Sequence, residues 1–152
     1  MVPKRVRSVA KNKGIRIFIS HASEDNAIVR LLQGDLVAAG ADVWVDHVGI
    51  RGGDNFAIRI NNALRWCNVF LLLWSKNAKR SYWVRVEWTS ALALEKMIIP
   101  CRIDKTSLPE VLRNTSSIEF SDNDKGLYEL LRGLGLVKVN SDRRNIDSNL
   151  AV

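Results

Sequence analysis

The sequence predicts an α/β fold of the flavodoxin-like, three-layer kind, with a five-stranded parallel sheet in the order 2-1-3-4-5. Strand-like apolar runs alternate along the chain with segments whose apolar residues recur at helical spacing, which is typical of parallel sheets. Segment 69–74 is apolar without interruption, as expected of a strand covered on both faces. With 152 residues, 47% of them apolar and 26% charged, the chain has the size and composition of one globular domain.

The first half predicts two strands and two helices. Acidic Glu24 and Asp25 follow Ser23 where a helix dipole favours them, which makes Ser23 the expected N-cap. The predicted elements are strand 15–20, a helix from Ser23 to Gly40, strand 42–46, a glycine-containing loop at 47–53 and a helix from Asp54 to Trp66. The residues predicted to face the core are Ile28, Leu31, Leu32, Leu36 and Val37 on the first helix, Phe56, Ile60, Ala63 and Leu64 on the second, and the tryptophans Trp44, Trp66 and Trp74.

The second half completes the alternation. Pro100 interrupts the fourth strand, and because proline lacks an N–H it predicts that one side of that strand is unpaired there. The predicted elements are strand 69–74, a helix at 81–95, strand 97–103, a short helix or turn at 108–113, a weak strand at 117–120 and a helix at 124–134.

The ends of the chain are predicted to lie outside the domain. Residues 1–14 read as a flexible basic lead-in, 15–137 as the domain and 138–152 as a polar tail or linker. The net charge of +7 comes partly from the lead-in, so direct nucleic-acid binding is not expected. The sequence shows neither a secretory signal nor an apolar run that spans a bilayer, and a cytoplasmic location without membrane contact is expected.

Cysteine and histidine usage predicts no metal centre. Cys67 and Cys101 lie in or beside apolar runs and are expected to be free, buried thiols. The two histidines and two cysteines follow no zinc-ligand spacing, and neither cysteine sits in a nucleophile turn.

The predicted topology indicates where a ligand would bind. In this strand order the switch point lies between strands one and three, and ligands bind outside the carboxyl ends of the strands there. Residues 20–23, residues 46–53, Ser75 and the start of the helix that carries Glu87 would line the crevice.

Glu87 is the most conspicuous residue of that crevice. Helical winding puts it on the flank of Trp83, Ala91 and Leu94, and a carboxylate among apolar neighbours must be paired, protonated or functional. Taken by itself, the position is compatible either with a salt bridge or with a functional carboxylate.

Motifs exclude several enzymes that share the architecture. The chain has no P-loop after strand one, no G-x-G-x-x-G and no G-x-S-x-G elbow. Strand three ends in Leu73, Trp74 and Ser75, whereas a phospho-receiver domain requires an aspartate there.

Four segments, in order, closely resemble a TIR domain (Toll/interleukin receptor homology domain) of the bacterial type. Segment 18–25, Phe-Ile-Ser-His-Ala-Ser-Glu-Asp, resembles the first box of the family, and segment 43–46, Val-Trp-Val-Asp, resembles its second strand. Segment 50–56 resembles the loop and helix start that follow, and segment 81–87 resembles the family's S-x-W-x-x-x-E pattern. The resemblance covers residues 15–135 and supports the same flavodoxin-like fold.

The resemblance implies an activity. Many such TIR domains are NAD⁺ glycohydrolases, and Glu87 matches their catalytic glutamate, with NAD⁺ as substrate and no cofactor. His21, Ala22 and Ser23 match the first-box substrate contacts of the family. The predicted crevice adds Asp46, Arg51 and Trp83 as candidate substrate contacts. Family members commonly complete the site across a head-to-tail contact through the loop that matches 47–53, and others are adaptors that do no chemistry. The resemblance also leaves room for a separate sensor or activator and for a role in antiphage defence.

Four of the substrate-contact positions also have a structural interpretation. Trp83 could shape the nicotinamide–ribose side or pack in the core, and Arg51 could meet the diphosphate or remain a solvated loop charge. Ser23 could only cap its helix, and Asp46 could hold the loop rather than a ribose hydroxyl. A third hypothesis, besides the NAD⁺-cleaving enzyme and the adaptor, is an activity on another N-glycoside.

Overall fold

The computed structural model describes residues 14–45 and 54–136, with residues 54 and 55 described by their backbone alone. The strands are β1 (Arg16–Ser20), β2 (Asp42–Val45), β3 (Val69–Trp74), β4 (Met97–Arg102) and β5 (Ile118–Glu119). The helices are α1 (Asn26–Ala38), α2 (Asp54–Trp66), α3 (Lys76–Arg80), α4 (Tyr82–Ala93) and α5 (Asn123–Gly133), with 3₁₀ turns at Ser23–Asp25 and Glu110–Leu112.

The five strands form one parallel sheet in the order β2-β1-β3-β4-β5, which confirms the predicted fold. β1 pairs with β2 and β3, β3 pairs with β4, and β4 pairs with β5. All six residues of β3 are buried, because this central strand is covered on both faces as its unbroken apolar sequence predicts.

Alternation along the strands builds a separate core on each face of the sheet. Phe18 and Phe70 stack with ring centroids 5.1 Å apart and belong to the core that α2 and α4 cover. Ile17, Ile19 and Leu71 point to the opposite face and belong to the core that α1 and α5 cover. The sheet is therefore fixed between two layers of helices.

Ser23 is not the N-cap that the sequence predicts. Residues Ser23–Asp25 form a 3₁₀ turn preceded by Ala22, and α1 begins only at Asn26. The 3₁₀ turn occupies the residues that the sequence assigns to the first turn of the helix. The Ser23 hydroxyl donates to the Glu24 side chain, 2.8 Å away, and not to a backbone N–H of the helix. The prediction that Ser23 caps the helix is therefore wrong.

The buried face of α1 is narrower than predicted. Val29, Leu32 and Leu36 are buried at spacings of three and four, whereas Leu31 is 71% exposed and Val37 53% exposed. A helix on the sheet buries one stripe, and these two side chains lie outside it. Trp66, predicted to be core, is 37% exposed at the end of α2.

The segment after β3 contains two helices where the sequence predicts one at 81–95. Ser75 caps α3 by accepting from the Ala78 N–H at 3.0 Å, and Ser81 caps α4 by accepting from the Val84 N–H at 3.2 Å. A five-residue helix is too short to show apolar periodicity, so α3 escapes prediction. Pro100 pairs only with Leu72 of β3, and the pairing with β5 begins at the next residue, which confirms one unpaired side.

Both cysteines are free and buried, as predicted. Burial raises the pKa of the Cys101 thiol well above its usual range, so the group stays neutral. Burial likewise raises the pKa of the Cys67 thiol, against the opposing charge of Lys96.

Several predictions concern residues outside the described part of the chain. These are the lead-in 1–13, Asp46, the loop 47–53 with Arg51, and residues 137–152. Within the described residues, the longest and most apolar helices fall short of what a membrane crossing requires.

Candidate active site

The carboxyl ends of β1 and β3 meet beside α4, where Ser20 contacts Glu87. Ser20 is the last residue of β1 and is fully buried, and the Glu87 side chain is 1% exposed. The Ser20 hydroxyl donates to Glu87 Oε1 at 2.7 Å. Glu87 lies in the middle of α4, whose N-terminus Ser81 caps independently, so the helix does not need this carboxylate for capping.

A second serine–carboxylate pair lies at the same edge of the sheet. The hydroxyl of Ser75, which directly follows β3, donates to Asp25 Oδ2 at 2.6 Å. The Asn77 side-chain amide donates to Asp25 Oδ1 at 3.3 Å, so both oxygens of this buried carboxylate accept hydrogen bonds. The sequence analysis assigned Asp25 to a helix start and did not predict this contact. The signal that could have indicated it is that Asp25 and Ser75 follow neighbouring strands on either side of the predicted crevice.

His21 and Ala22 continue from β1 into the same region, and both are buried at 3% exposure. His21 Nε2 lies 2.6 Å from Asn26 Oδ1, a hydrogen bond that holds the imidazole ring against the first turn of α1. Ser23 lies beyond them on the surface. The structure therefore buries Ser20, His21 and Ala22 together at the carboxyl end of β1 and leaves Ser23 exposed.

Trp83 lies one turn before Glu87 on α4 and is half-buried. Its ring meets Phe56 of α2 edge to face, with centroids 4.7 Å apart, and packs against the core that α2 and α4 share. It also meets Tyr82 edge to face at 5.4 Å. Trp83 therefore contributes to the packing between α2 and α4 while its side chain stays partly exposed.

The predicted contacts Asp46 and Arg51 lie outside the described residues. Among the residues that the structure does describe, no group of three or more His, Cys, Asp or Glu side chains could hold a metal ion. The chemistry that the described site offers is that of a carboxylate oriented by a hydroxyl in surroundings with little water. Such a carboxylate stabilises a developing positive charge more strongly than it would in water.

Residues 17–131, which make up most of the chain, match the model of the TIR domain family. The chain belongs to the TIR domain family. The matched range includes Ser20, His21, Asp25 and Glu87, so the candidate site lies wholly inside the TIR domain.

Relatives of this TIR domain include proteins named as a 2′ cyclic ADP-D-ribose synthase and as an NAD⁺ hydrolase. A 2′ cyclic ADP-D-ribose synthase of Bacteroides thetaiotaomicron is 34% identical over 106 residues, which are 66% of this chain and 37% of that protein. An NAD⁺ hydrolase of Paracoccus denitrificans is 36% identical over 80 residues, 52% of this chain and 27% of that protein. The chain thus spans about a third of the length of the curated relatives it matches.

Solved structures share the fold at lower identity. The TIR domain of a Toll-related receptor from Hydra magnipapillata superposes with a TM-score of 0.67 at 21% identity, covering 78% of this chain and 96% of that one. A CMP N-glycosidase from Clostridium botulinum superposes with a TM-score of 0.61 at 20% identity, covering 76% and 96%. At these identities the likeness concerns the fold alone.

Proposed function

We propose that this TIR domain is an NAD⁺ glycohydrolase, which cleaves the nicotinamide–ribose bond to give nicotinamide and ADP-ribose or a cyclic isomer of ADP-ribose. The observation that carries the proposal is the buried Ser20–Glu87 pair at the carboxyl ends of β1 and β3. The name of the NAD⁺ hydrolase from Paracoccus denitrificans supports NAD⁺ as the substrate, and that of the 2′ cyclic ADP-D-ribose synthase from Bacteroides thetaiotaomicron supports a cyclic ADP-ribose as a product class.

The proposed reaction needs one carboxylate and no general acid. The bond from ribose C1′ to the nicotinamide nitrogen breaks with its electron pair going to nitrogen, so the cationic ring leaves as neutral nicotinamide. Water then adds to C1′ and releases a proton, which gives ADP-ribose. If a hydroxyl of the same molecule adds instead and loses its proton, the product is cyclic. An ordinary glycoside needs a second carboxyl group because its leaving oxygen must be protonated.

In this mechanism Glu87 stabilises the oxocarbenium-like ribosyl centre by its negative charge, or attacks C1′ as a nucleophile. The hydrogen bond from Ser20 fixes the orientation of the carboxylate, which favours a transition state whose charge develops at one place. Both roles predict that Glu87 is indispensable.

The remaining site residues are proposed to bind the substrate. His21, Ala22 and Ser23 would contact NAD⁺ at the end of β1, and Trp83 would flank the nicotinamide–ribose side. Asp46 is proposed to bond a ribose hydroxyl and Arg51 to meet the diphosphate.

Substrate access supports a role for association. With the Glu87 side chain 1% exposed, NAD⁺ reaches it only when the site opens. We propose that contact with a second TIR domain through residues 47–53, or with a separate activator, stabilises the open site. The proposed setting is bacterial antiphage defence, in which infection triggers NAD⁺ loss or a nucleotide signal.

The test is nicotinamide release from NAD⁺, followed by liquid chromatography at high protein concentration. Wild type, Glu87→Gln and a matched control, Glu129→Gln on the exposed surface of α5, are compared. Turnover in wild type and the control but not in Glu87→Gln supports the proposal, and the ribosyl product peak identifies the product class. Equal turnover in all three would contradict the role of Glu87.

The second candidate is a non-catalytic interaction module. An apolar groove of about 250 Å³ between α1 and α5 favours it, since Leu31, 71% exposed, lies there beside Ile28 and Leu127. An adaptor would show no nicotinamide release at any concentration or with any partner, while Leu31→Glu would weaken its association.

A further inference from the structure

A second cavity lies on the flank of α4 that faces away from Ser20. It has a volume of about 300 Å³ and lies between α3, α4 and the loop that follows β4. Arg85 and Trp88, three residues apart on α4, line it together. Glu87 is two positions beyond Arg85 and therefore points to the other side of the helix, where it meets Ser20.

Three cations line this cavity, which we call the basic cavity: Lys79 from α3, Arg85 from α4, and Arg113 after the 3₁₀ turn Glu110–Leu112. No carboxylate is among the lining residues that belong to the described ranges 14–45 and 54–136. The one salt bridge within the described part of the chain joins Arg102 to Glu119. None of the three cations therefore has a described carboxylate within ion-pair distance. Three positive charges around one concavity, none of them in a described ion pair, create a field that attracts an anion.

Hydrogen bonds hold the walls of the basic cavity in place. The Trp74 indole N–H donates to the Ser107 carbonyl at 2.9 Å, and the Ile103 N–H donates to the Trp74 carbonyl at 3.0 Å. Asp104 accepts from the backbone N–H of Lys76 at 2.8 Å, which ties the loop to the start of α3. The loop and the helices are therefore positioned before any ligand binds, which lowers the entropic cost of binding.

The lining also offers an apolar surface to a planar group. The half-buried ring of Trp88 and the side chains of Leu108 and Pro109 lie beside the cations. A phosphate group suits arginine and lysine, and a nucleobase suits an aromatic ring flanked by arginine. The volume is at the lower end of the range of about 300–1,000 Å³ for small-molecule sites, which favours a mononucleotide over a dinucleotide.

We infer that the basic cavity is a binding site for a nucleoside monophosphate, separate from the site around Glu87. The phosphate is held by Lys79, Arg85 and Arg113, and the base lies against Trp88. The inference does not depend on the proposed cleavage of NAD⁺.

The test is calorimetric titration of the full chain with AMP, adenosine and ribose 5-phosphate. AMP carries both the phosphate and the base, whereas adenosine lacks the first and ribose 5-phosphate lacks the second. AMP is expected to bind at least about tenfold more tightly than either. Absence of AMP binding at millimolar concentration, or equal affinity for AMP and adenosine, would overturn the inference.

Charge-reversal variants locate the binding. Arg113→Glu is expected to weaken AMP binding about tenfold or more, whereas Lys125→Glu, the same charge change on α5 across the sheet, leaves the affinity within about twofold. An equal loss in both variants would show general attraction to a basic protein and would refute the site. Thermal melting of both variants checks folding, and Arg85→Gln provides a milder second variant.

A third variant separates the basic cavity from the candidate active site. His21→Ala alters the proposed NAD⁺ contacts at the end of β1 and is expected to leave AMP affinity within about twofold. If His21→Ala abolishes AMP binding while Arg113→Glu does not, AMP occupies the site near Glu87 and the inference fails.

Discussion

Asp25 and Glu87 are two buried carboxylates at the same edge of the sheet. Each accepts a hydrogen bond that joins the region after β1 to the region after β3. The serine that ends β1 donates to Glu87 in the segment after β3, and the serine after β3 donates to Asp25 in the segment after β1. The two surroundings differ, however. Asp25 precedes α1 and its partner Ser75 also caps α3, whereas Glu87 lies inside a helix that another serine caps. Asp25 is therefore linked to the starts of two helices, whereas the hydrogen bond from Ser20 joins the middle of α4 to the end of β1.

The largest effect is expected at Glu87. Replacing it by glutamine keeps the shape and an acceptor for Ser20 but removes the charge, so nicotinamide release should fall about 10²-fold or more. Thermal melting should remain close to that of wild type. A large loss of stability with unchanged activity per folded molecule would show that Glu87 is structural, as Asp25 is.

Asp25→Ala is expected to act through stability. The substitution leaves the buried hydroxyl of Ser75 and the amide of Asn77 without their acceptor, and it should lower the free energy of unfolding by about 2–3 kcal/mol. Urea unfolding measures the change. Asp25→Asn, which keeps one acceptor oxygen, is the matched control and should lose less. If Asp25→Ala has the same free energy of unfolding as wild type, the stabilising role of Asp25 is refuted.

Substitution of Ser20 and Ser75, the serines that donate to the two carboxylates, tests the comparison further. Ser75→Ala removes both a donor to Asp25 and the cap of α3, so it should cost about 1 kcal/mol more stability than Ser20→Ala. Ser20→Ala should instead lower kcat more than it raises KM, because the Ser20 hydroxyl orients Glu87. Urea unfolding and initial rates on both variants test this. Equal effects of the two variants on stability and on kcat would remove the distinction between the pairs.

The smallest effect is expected at Asp104, an exposed carboxylate that serves as a reference. Partial burial pushes its pKa upward, but hydrogen bonds from the Thr106 side chain and from the backbone N–H groups of Lys76 and Thr106, with the charge of Arg102, outweigh burial and lower the pKa below its usual value. Because the folded pKa is depressed, the stabilisation is present above the unfolded pKa and is lost as the pH falls through the folded value.

Melting temperatures between about pH 5 and pH 2.5 test this for wild type and Asp104→Asn. The wild type should be slightly more stable at the upper end, and the difference should shrink as the pH falls. A difference that stays constant with pH would contradict the assignment. Glu129→Gln, an exposed substitution on α5, controls for the loss of one surface charge.

Much of the fold was predictable from local patterns. The unbroken apolar run at 69–74 predicted both end residues of β3 correctly. A strand covered on both faces is apolar at every position, so the first polar residue on each side marks its end. The alternation of strands and helices predicted the parallel order that the structure confirms. Local patterns failed at α3 and at Leu31, since a five-residue helix carries no period and an apolar side chain does not reveal which stripe the sheet will cover.

The candidate site divides in the same way. The sequence by itself determined that Glu87 is a carboxylate among apolar neighbours near the crevice, because that follows from helical spacing and strand order. Only the tertiary structure decided that Ser20 is the hydrogen-bond partner of Glu87 and that Ser75 is the partner of Asp25, because the residues of these two pairs are 67 and 50 positions apart. The same holds for the basic cavity, since Lys79, Arg85 and Arg113 come from three segments that only chain packing brings together. Contacts between distant segments depend on how the helix layers settle on the sheet, which no local pattern encodes.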